Sequence, residues 1–569
     1  MFDLAIRGGT VVDGTGRPGF RADVGIAGGR IRAVGPLEEP AREEIDAEGR
    51  VVAPGFVDIH THYDAQVFWD DSVSPSSLHG VTSIVGGNCG FSIAPLRASE
   101  AEYLMRMLAR VEGMPLESLA AGVPWDWTTT AEYLDRLEGR LAVNAGFMVG
   151  HSAIRRVVMG ERATGDPATE DDLSAMERLL RDGLEAGGLG FSSSWGEAHN
   201  DDEGNMVPSR YASEDELVEL CRITGEFPGT SLEFIPTLEA FTAGRVDLMA
   251  RMSAAANRHL NWNALGVTAD TIDAARQRLE ASDYAAAHGG KVLALTIPLA
   301  SRLWLSFATG FIFDAFPGWT DVMALPIDQK QRVLATADER CRLQNLAAQA
   351  EALKSFADWG TYLIDETFTP QTHAYRGRRV GEVARERGQD PFDTLLDIAV
   401  ADGLRTVIST PPRADTDEDW RVRAEVWRDE RVVIGASDAG AHLDLVAQFN
   451  YPTELLANPV RGRGLLSVEE AVRLMTEVPA RLYGLRDRGR VSEGWWADLV
   501  VFDPDTVASG PVVNRHDLPG GASRVYAEAE GIDHVLVNGS PIVSGGADTG
   551  ARAGTILRSG RDTETVTAH

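Results

Sequence analysis

The stretch that most constrains the fold is APGFVDIHTHYDAQ, residues 53–66. Its centre, VDIHTHY, is typical of a strand, and alternate side chains of a strand share one face, so His60 and His62 point the same way. Imidazole is a common zinc ligand, and two such rings can bind one cation. The alternative is a pair of surface histidines at a strand end. Because barrel enzymes carry their chemistry at the carboxyl ends of the strands, the sequence favours a metal site here.

Further strand-like runs follow along the chain, and helical, charged stretches separate them. This alternation predicts an α/β protein with a (β/α)₈ TIM-like barrel. The predicted barrel strands are VDIHTHY (57–63), TSIVGGNCG (82–90), AVNAGFMVGH (142–151), GGLGFSSS (187–194), TSLEFIP (230–236), HLNWNALG (259–266), KVLALTI (291–297) and VVIGASDAG (432–440). Two stretches, near 95–140 and 300–425, exceed ordinary loop length and are predicted insertions that cover the barrel mouth.

The two ends of the chain share a different texture of short strands between glycine-rich turns. Residues 1–54 contain LAIRGGTVVDG, and residues 481–569 contain VSEGWWADLVVFDP and HVLVNGSPIVSGG. Such runs are typical of small β-units, and the two terminal segments can pair into one domain. The predicted domain boundaries are therefore 1–54, 55–480 for the barrel, and 481–569 for the C-terminal β-segment and tail.

Composition indicates a soluble enzyme that acts on a small molecule. The chain has 569 residues, 44% hydrophobic, and 54 Lys and Arg against 85 Asp and Glu give a formal net charge of −31. Such a charge makes attachment to nucleic acid or anionic lipid unfavourable, and no apolar stretch is long enough to span a membrane. Only Cys89, Cys221 and Cys341 occur, so no disulfide framework is expected and the cytoplasm is the predicted location.

Two further residues extend the candidate metal site. Cys89, in GGNCG, follows the second strand, where a thiolate among glycines is a suitable soft ligand; the alternative is a packing cysteine. Asp438 ends the last strand in SDAGAH, and in a closed barrel that strand lies beside the first. There its carboxylate can ligate a metal and accept a proton from water, whereas its alternative role is a helix cap.

Other polar residues near strand ends are candidates for contacts with the substrate. His151 ends the third strand in VGHSAIRR and is predicted to be catalytic or to support the site, or else to be a hydrogen-bonded structural histidine. Arg155 and Arg210 are candidate bidentate partners of a substrate carboxylate, and the alternative is that they neutralise an acidic surface.

Several motifs, taken in order, resemble the D-aminoacylase branch (N-acyl-D-amino-acid deacylases) of the amidohydrolase superfamily. The resemblance spans nearly the whole chain and rests on APGFVDIHTHYDAQ, HGVTSIVGGNCGFSIAP, VGHSAIRRVVMG, GGLGFSSS, SDAGAH, VSEGWWADLVVFDP and VLVNGS. It implies a barrel with a composite β-sandwich from both termini. It also implies that Cys89, His60, His62 and Asp438 occupy the family's metal and catalytic positions.

The chain departs from the family pattern on strands five and six, each of which carries a histidine in that family. Here these strands read TSLEFIP and HLNWNALG, with Glu233, Asn261 and Asn263 in the neighbourhood. Glu233 is therefore a candidate oxygen ligand, and Asn261 and Asn263 are candidate substrate-binding residues. The predicted cofactor is one or two Zn²⁺ ions, with Mn²⁺ or Fe²⁺ as alternatives.

The predicted function is that of a metal-dependent amidohydrolase. It would cleave the C–N bond of a small N-acylated amino acid or related amide by a metal-activated water, with Asp438 accepting the proton. Two alternatives stay open: a cyclic-amide hydrolase or deaminase of the same superfamily, and a metal-poor descendant that binds a ligand without turnover. The oligomeric state and the stereochemical preference are not encoded in any of these motifs.

Overall fold

The computed structural model describes residues 1–310 and 312–568 of the chain. The strands of this part fall mainly into a terminal sheet, a barrel and an inserted sheet. In chain order they are β1 Phe2–Val11, β2 Phe20–Ala27, β3 Arg30–Gly35, β4 Ala41–Asp46, β5 Val51–Pro54, β6 Phe56–Asp58, β7 Val81–Gly86, β8 Asn144–Phe147, β9 Val149–Gly150, β10 Gly190–Ser194, β11 Ser231–Ile235, β12 His259–Trp262, β13 Lys291–Thr296, β14 Trp304–Leu305, β15 Leu363–Glu366, β16 Arg378–Arg379, β17 Val407–Ser409, β18 Val432–Ile434, β19 Leu499–Phe502, β20 Ala508–Ser509, β21 Val513–Arg515, β22 Arg524–Tyr526, β23 Ala529–Glu530, β24 Ile532–Val537, β25 Ser540–Ser544 and β26 Ala547–Asp548.

The α-helices of the same residues mostly follow barrel strands or belong to the insertions. They are α1 Ala101–Val111, α2 Leu116–Gly122, α3 Thr130–Leu137, α4 His151–Met159, α5 Glu170–Glu185, α6 Glu214–Gly225, α7 Ala243–Ala256, α8 Ile272–Ala287, α9 Thr320–Met323, α10 Ile327–Leu334, α11 Ala337–Gln349, α12 Val380–Arg387, α13 Pro391–Ala401, α14 Asp417–Trp427, α15 Tyr451–Leu455, α16 Val468–Met475 and α17 Glu477–Leu482. None of the described helices combines the length and apolar character needed to cross a bilayer.

A parallel barrel forms the centre of the molecule. Strands β6, β7 and β8 pair in parallel, and so do β9, β10, β11, β12, β13 and β18. Met148 lies between β8 and β9 and donates its backbone N–H to the carbonyl of Gly86 at 2.9 Å, so these two short strands act as one. Each stretch predicted as a barrel strand overlaps at least one of these strands, and the predicted α/β barrel is confirmed.

The first and last barrel strands meet beyond their regular ends. Thr61 and Ala439 form a parallel bridge, and the N–H of His62 donates to the carbonyl of Ala439 at 2.7 Å. The N–H of Asp438 donates to the carbonyl of His60 at 3.2 Å. This closure brings Asp438 beside the two histidines of the first strand.

Both ends of the chain contribute to one nine-stranded sheet. Its order is β26-β25-β24-β19-β5-β1-β2-β3, with β4 paired to β1. The antiparallel pairing of β5 with β19 joins the N-terminal strands to the C-terminal ones. Apolar side chains such as Ile6, Val24, Val52 and Leu499 are buried together against this sheet. Pairing of the two terminal β-segments is therefore present in the structure.

Extra elements occur in the two long stretches noted in the sequence. Helices α1 to α3 lie between β7 and β8, and the segment between β13 and β18 carries helices α9 to α14 and an antiparallel sheet of order β14-β17-β15-β16. The second segment has an apolar cluster of its own that includes Trp319, Trp359 and Phe392. It is large enough to bury its own core beside the barrel.

Helix α5 illustrates how the outer helices are fixed. Thr169 caps its N-terminus: its side chain accepts the N–H of Asp172 at 3.2 Å, and the carboxylate of Asp172 accepts the N–H of Thr169 at 3.0 Å. Arg162 pairs with the same carboxylate at 2.7 Å. Leu180 and Leu184 face inward and are buried. The cap satisfies otherwise unpaired N–H groups, and the apolar stripe holds the helix against the barrel.

Candidate metal centre

Four predicted side chains converge at the carboxyl end of the barrel. Cys89 Sγ lies 3.5 Å from Nε2 of His60 and 3.9 Å from Nε2 of His62. Asp438 Oδ1 lies 3.2 Å from Nε2 of His60 and 3.5 Å from Nε2 of His62. The two imidazoles and the thiol form a group of buried metal-ligating side chains whose ligand atoms all lie within 4.8 Å of one another.

Several of these spacings are those of ligands that share a zinc ion. Zinc bonds to sulfur at about 2.3 Å and to nitrogen or oxygen at about 2.0–2.1 Å, so tetrahedral ligands are separated by about 3.5 Å for S···N and about 3.3 Å for N···O pairs. The observed S···N distances of 3.5 and 3.9 Å and N···O distances of 3.2 and 3.5 Å lie near these values, so each imidazole stands at ligand spacing from Cys89 and from Asp438. Asp438 is not part of the group whose ligand atoms all lie within 4.8 Å of one another. The donor set of imidazole, thiolate and carboxylate also suits zinc.

Cys89 reaches the site through a tight, glycine-rich turn after β7. Its own backbone has φ 56°, in the left-handed region that non-glycine residues seldom adopt. Gly87 has φ 72°, and a Cβ there would lie 2.4 Å from the carbonyl oxygen of Met148. Asp438 shares this strained conformation with φ 52°. Backbone strain of this kind persists where the surrounding packing enforces it, and it is common at functional sites.

Glu233 and Asn263 form a second layer around the cysteine. Glu233 Oε2 accepts the backbone N–H of Cys89 at 2.8 Å, and Asn263 Nδ2 donates to Oε1 of the same carboxylate. Both carboxylate oxygens are thus already hydrogen-bonded. In this arrangement Glu233 orients the cysteine turn, and it is not part of the group of His60, His62 and Cys89 whose ligand atoms lie within 4.8 Å of one another; its predicted role as an oxygen ligand stays a prediction.

The site brings several acidic groups together, of which Cys89, Glu112 and Glu233 are buried and Asp438 is half-buried. Burial would by itself raise the pKa of Asp438, but hydrogen bonds and charge from His60 and His62 hold it well below its usual value. Burial raises the pKa of the Cys89 thiol well above its ordinary range and that of Glu233 to about 7. A divalent cation at the centre favours the ionised forms of these groups and so offsets the burial cost.

The ligand atoms open into a cavity of about 320 Å³. The polar residues of its wall are the ligands together with Glu112, His199, Asn263, His442 and Gln448. Its apolar residues include Ile235, Leu265, Leu295 and Ile297. A cavity lined by apolar side chains and a few polar groups is the usual form of a small-molecule site.

Two residues predicted near the substrate have structural roles instead. His151 is fully buried and bonds to Ser193 Oγ at 2.9 Å and to Glu216 Oε1 at 2.8 Å. Arg155 is also fully buried and pairs with Glu216. A buried cation requires a partner, and this carboxylate supplies it. The predicted catalytic role of His151 and the substrate-binding role of Arg155 are corrected accordingly, because neither side chain is part of the cavity wall.

Two other substrate-binding predictions also change. Arg210 Nη1 donates to the carbonyl oxygens of Glu197 and His199, so it holds a loop. Asn261 Nδ2 donates to the carbonyl of Leu232 at 3.2 Å, which places it deeper in the barrel. Of the candidate substrate-binding residues, Asn263 alone belongs to the described wall.

Glu112, His199, His442 and Gln448 belong to the cavity wall without having been predicted as site residues. Glu112 directly follows helix α1 in the first insertion, and its Oε1 lies 3.6 Å from Nδ1 of His62, on the side of the ring where an outer carboxylate of a metal site stands. His199 lies in the loop after β10. Neither follows a strand directly or belongs to a recognisable motif, so only the folded chain shows their relation to the centre.

A family model described as "Amidohydrolase family" matches residues 43–543. The chain belongs to the amidohydrolase family. It is 32% identical to the N-acyl-D-glutamate deacylase of Alcaligenes xylosoxydans xylosoxydans, over 98% of this chain and 96% of that protein. It is 29% identical to the D-aminoacylase of the same organism, over 98% and 97% of the two chains. The resemblance to the D-aminoacylase branch is confirmed.

Solved structures of this branch have the same architecture. A D-aminoacylase structure described in terms of its binuclear metal centre, with one-metal activation and second-metal attenuation, is 28% identical with a TM-score of 0.65, covering 98% of this chain and 100% of that one. The N-acyl-D-glutamate deacylase of Bordetella bronchiseptica, complexed with zinc and a phosphonate inhibitor, is 25% identical with a TM-score of 0.64 and the same coverage.

Proposed function

We propose that this amidohydrolase cleaves the C–N bond of a small N-acylated amino acid or a related amide in a metal-dependent reaction. The observation that carries the proposal is the buried group of His60, His62 and Cys89 in a cavity wall, with the carboxylate of Asp438 within 3.5 Å of both imidazoles. The names of the relatives, D-aminoacylase and N-acyl-D-glutamate deacylase, support the same reaction class.

These four side chains are the ones we expect to hold zinc. A bound zinc ion polarises a carbonyl group and lowers the pKa of a water molecule. Asp438 then acts as the general base: its Oδ2 takes a proton from the attacking water and returns it to the leaving nitrogen. The products are a carboxylic acid and an amine. The carboxylate of Glu112 stands 3.6 Å from His62, and Glu233 holds the turn of Cys89 by a hydrogen bond.

The cavity wall guides the choice of substrates. Its apolar residues suit an alkyl or aryl group, and among the described residues of the wall there is no Lys or Arg. A substrate panel should therefore pair each N-acetyl amino acid, in both D and L forms, with its uncharged carboxamide. Cyclic imides and ureides test the alternative ring-opening reaction.

The experiment combines metal analysis with this panel. Wild-type protein, Cys89→Ala and His60→Ala are purified without chelators, and zinc, manganese and iron are measured by plasma mass spectrometry. We expect about one metal ion per wild-type chain, less in both variants, and amine release from at least one acyclic amide. A wild-type chain that stays metal-free after incubation with each ion, or that is metal-replete and hydrolyses nothing in the panel, contradicts the proposal.

We also infer the finer organisation predicted from the sequence, with boundaries at 54/55 and 480/481 and a composite β-sandwich built from the terminal segments. The pairing of β5 with β19 supports it. A cytoplasmic location and a small-molecule partner are part of the same proposal. Free Cys89, Cys221 and Cys341 suit a reducing compartment.

A further inference from the structure

The loop after β10 carries a histidine, His199, that lines the cavity and has no role in the reaction proposed above. His199 shares the wall with His60, His62 and Asp438. Its imidazole stands edge-on to Phe91, with ring centroids 5.0 Å apart. This loop starts directly at the carboxyl end of a barrel strand, where groups that contact a reacting substrate are concentrated.

Hydrogen bonds fix which nitrogen of this ring carries the hydrogen. Ser194 Oγ lies 2.7 Å from Nδ1 of His199 and accepts the backbone N–H of Gly196 at 3.1 Å. Ser194 is fully buried, and among the described hydrogen bonds Nδ1 is the acceptor within reach of its hydroxyl hydrogen, which the other tautomer would leave without a partner. Nδ1 is then an acceptor, and a neutral ring carries its hydrogen on Nε2. The free Nε2–H is a donor available to the cavity.

The loop itself is held rigidly. Arg210 Nη1 donates to the carbonyl oxygens of Glu197 and His199, both at 3.1 Å, and to Oδ1 of Asn200 at 2.9 Å. The His199 N–H also donates to the carbonyl of Gly196 at 3.1 Å. A donor that is fixed before the reaction needs no reorganisation while charge develops, which is the basis of electrostatic catalysis.

The electrostatic surroundings agree with a neutral donor. Burial lowers the pKa of His199 to about 3, with a smaller contribution from the neighbouring His62. A ring that stays neutral at pH 7 can donate from Nε2 without giving up its proton.

We propose that His199 is a catalytic residue whose Nε2–H stabilises the oxyanion of the tetrahedral intermediate. The proposal rests on the amide hydrolysis inferred above. As the water oxygen bonds to the carbonyl carbon, the π electrons move onto the carbonyl oxygen. The hydrogen bond from Nε2–H of His199 to that oxygen then becomes stronger. The electrons return when the C–N bond breaks, and the nitrogen leaves with the proton delivered by Asp438. No proton leaves His199.

The test compares His199→Ala, His199→Gln and wild type in four measurements: kcat, KM, zinc per chain, and affinity for N-methylphosphonyl amines matched to the amide panel. We expect His199→Ala to lower kcat by about 10²- to 10³-fold, the usual effect of removing one oxyanion donor. In His199→Ala, KM and zinc content should stay near the wild-type values. The affinity of this variant for the tetrahedral phosphonyl compound should fall in proportion to kcat/KM. His199→Gln should recover part of the lost kcat, because its amide N–H can also donate to the oxyanion.

The exposed His288 on the surface supplies the matched control, and His288→Ala should leave all four quantities unchanged. The inference is overturned if His199→Ala loses zinc, raises KM without lowering kcat, or binds the phosphonyl amines as tightly as wild type. A wild type that holds zinc but neither hydrolyses an amide nor binds a phosphonyl amine overturns the proposed function and this inference together. If the wild type hydrolyses an amide and His199→Ala has the same kcat and the same affinity for the phosphonyl amine, this inference alone is overturned.

Discussion

Cys89 is the residue on which metal binding depends most directly, because its sulfur lies within 3.9 Å of both ligand imidazoles. Loss of a residue that only supports a metal ligand lowers metal affinity by roughly 10- to 100-fold. We expect Cys89→Ala, which removes a ligand itself, to lower zinc affinity by more than this. Competition with a fluorescent chelator measures it. Cys221→Ala is the matched control, since Cys221 is an equally buried cysteine on α6. Equal zinc affinity in Cys89→Ala and wild type would contradict the ligand assignment.

Glu233 tests the distinction between a ligand and a residue that positions one. Because both of its oxygens accept hydrogen bonds, from Cys89 and from Asn263, Glu233→Ala should lower zinc affinity by about 10- to 100-fold. One ion per chain should still bind at saturating zinc, and the absorption bands of the cobalt-substituted protein should still show thiolate coordination. A change in stoichiometry at saturation would instead make Glu233 a ligand.

At the scale of single elements, the cap of α5 makes stability depend on pH. Hydrogen bonds and charge from Arg162, with the N–H of Thr169, lower the pKa of Asp172 to about 2 from an ordinary 3.8. A carboxyl whose pKa is depressed on folding adds stability above its unfolded pKa, and that contribution is lost as the pH falls from about 4 toward 2.

Asp172→Asn should therefore destabilise the protein at pH 7 by about 1 kcal/mol, the typical value of a helix cap. Urea unfolding followed by circular dichroism at several pH values measures the difference. The difference in the free energy of unfolding between the variant and wild type should begin to decrease below about pH 4. Glu170→Gln changes an exposed acid in the same first turn and is the control. A gap that stays constant from pH 7 to pH 3 would contradict the linkage.

At the scale of the whole molecule, the C-terminal segment holds the end of the barrel opposite the metal centre. Ile556 bridges to Ala145 on β8, and the N–H of Leu557 donates to the carbonyl of Ala145 at 2.8 Å. The side chain of Leu557 is buried. This segment seals the amino ends of the strands after the chain has already contributed to the terminal sheet.

Leu557→Ala should cost about 2–5 kcal/mol, as deletions of buried leucine side chains do, and should leave zinc content unchanged. The measurement is the half-life for loss of bound metal and for loss of secondary structure when the protein is held at a raised temperature. Leu116→Ala, at an exposed leucine of α2, is the matched control and should behave like wild type. Loss of zinc in folded Leu557→Ala would show that the two ends of the barrel are coupled.

The sequence alone determined the features that depend on local spacing. The two-residue period of a strand puts His60 and His62 on one face wherever the strand lies. The glycines beside Cys89 mark a turn that only small residues permit. Alternating strand and helix patterns specify the barrel, and the composition specifies an acidic protein, because these properties do not depend on long-range contacts.

Tertiary structure alone decided which distant residues meet. Asp438 reaches the histidines because the last strand closes on the first, and Glu112 reaches His62 because an insertion folds back over the mouth. His151 lies at a strand end, as predicted, yet packing turns it toward Glu216 and away from the cavity. Partners that are tens to hundreds of residues apart are determined by closure of the barrel and by the need to pair buried charges. No local sequence pattern records either of these.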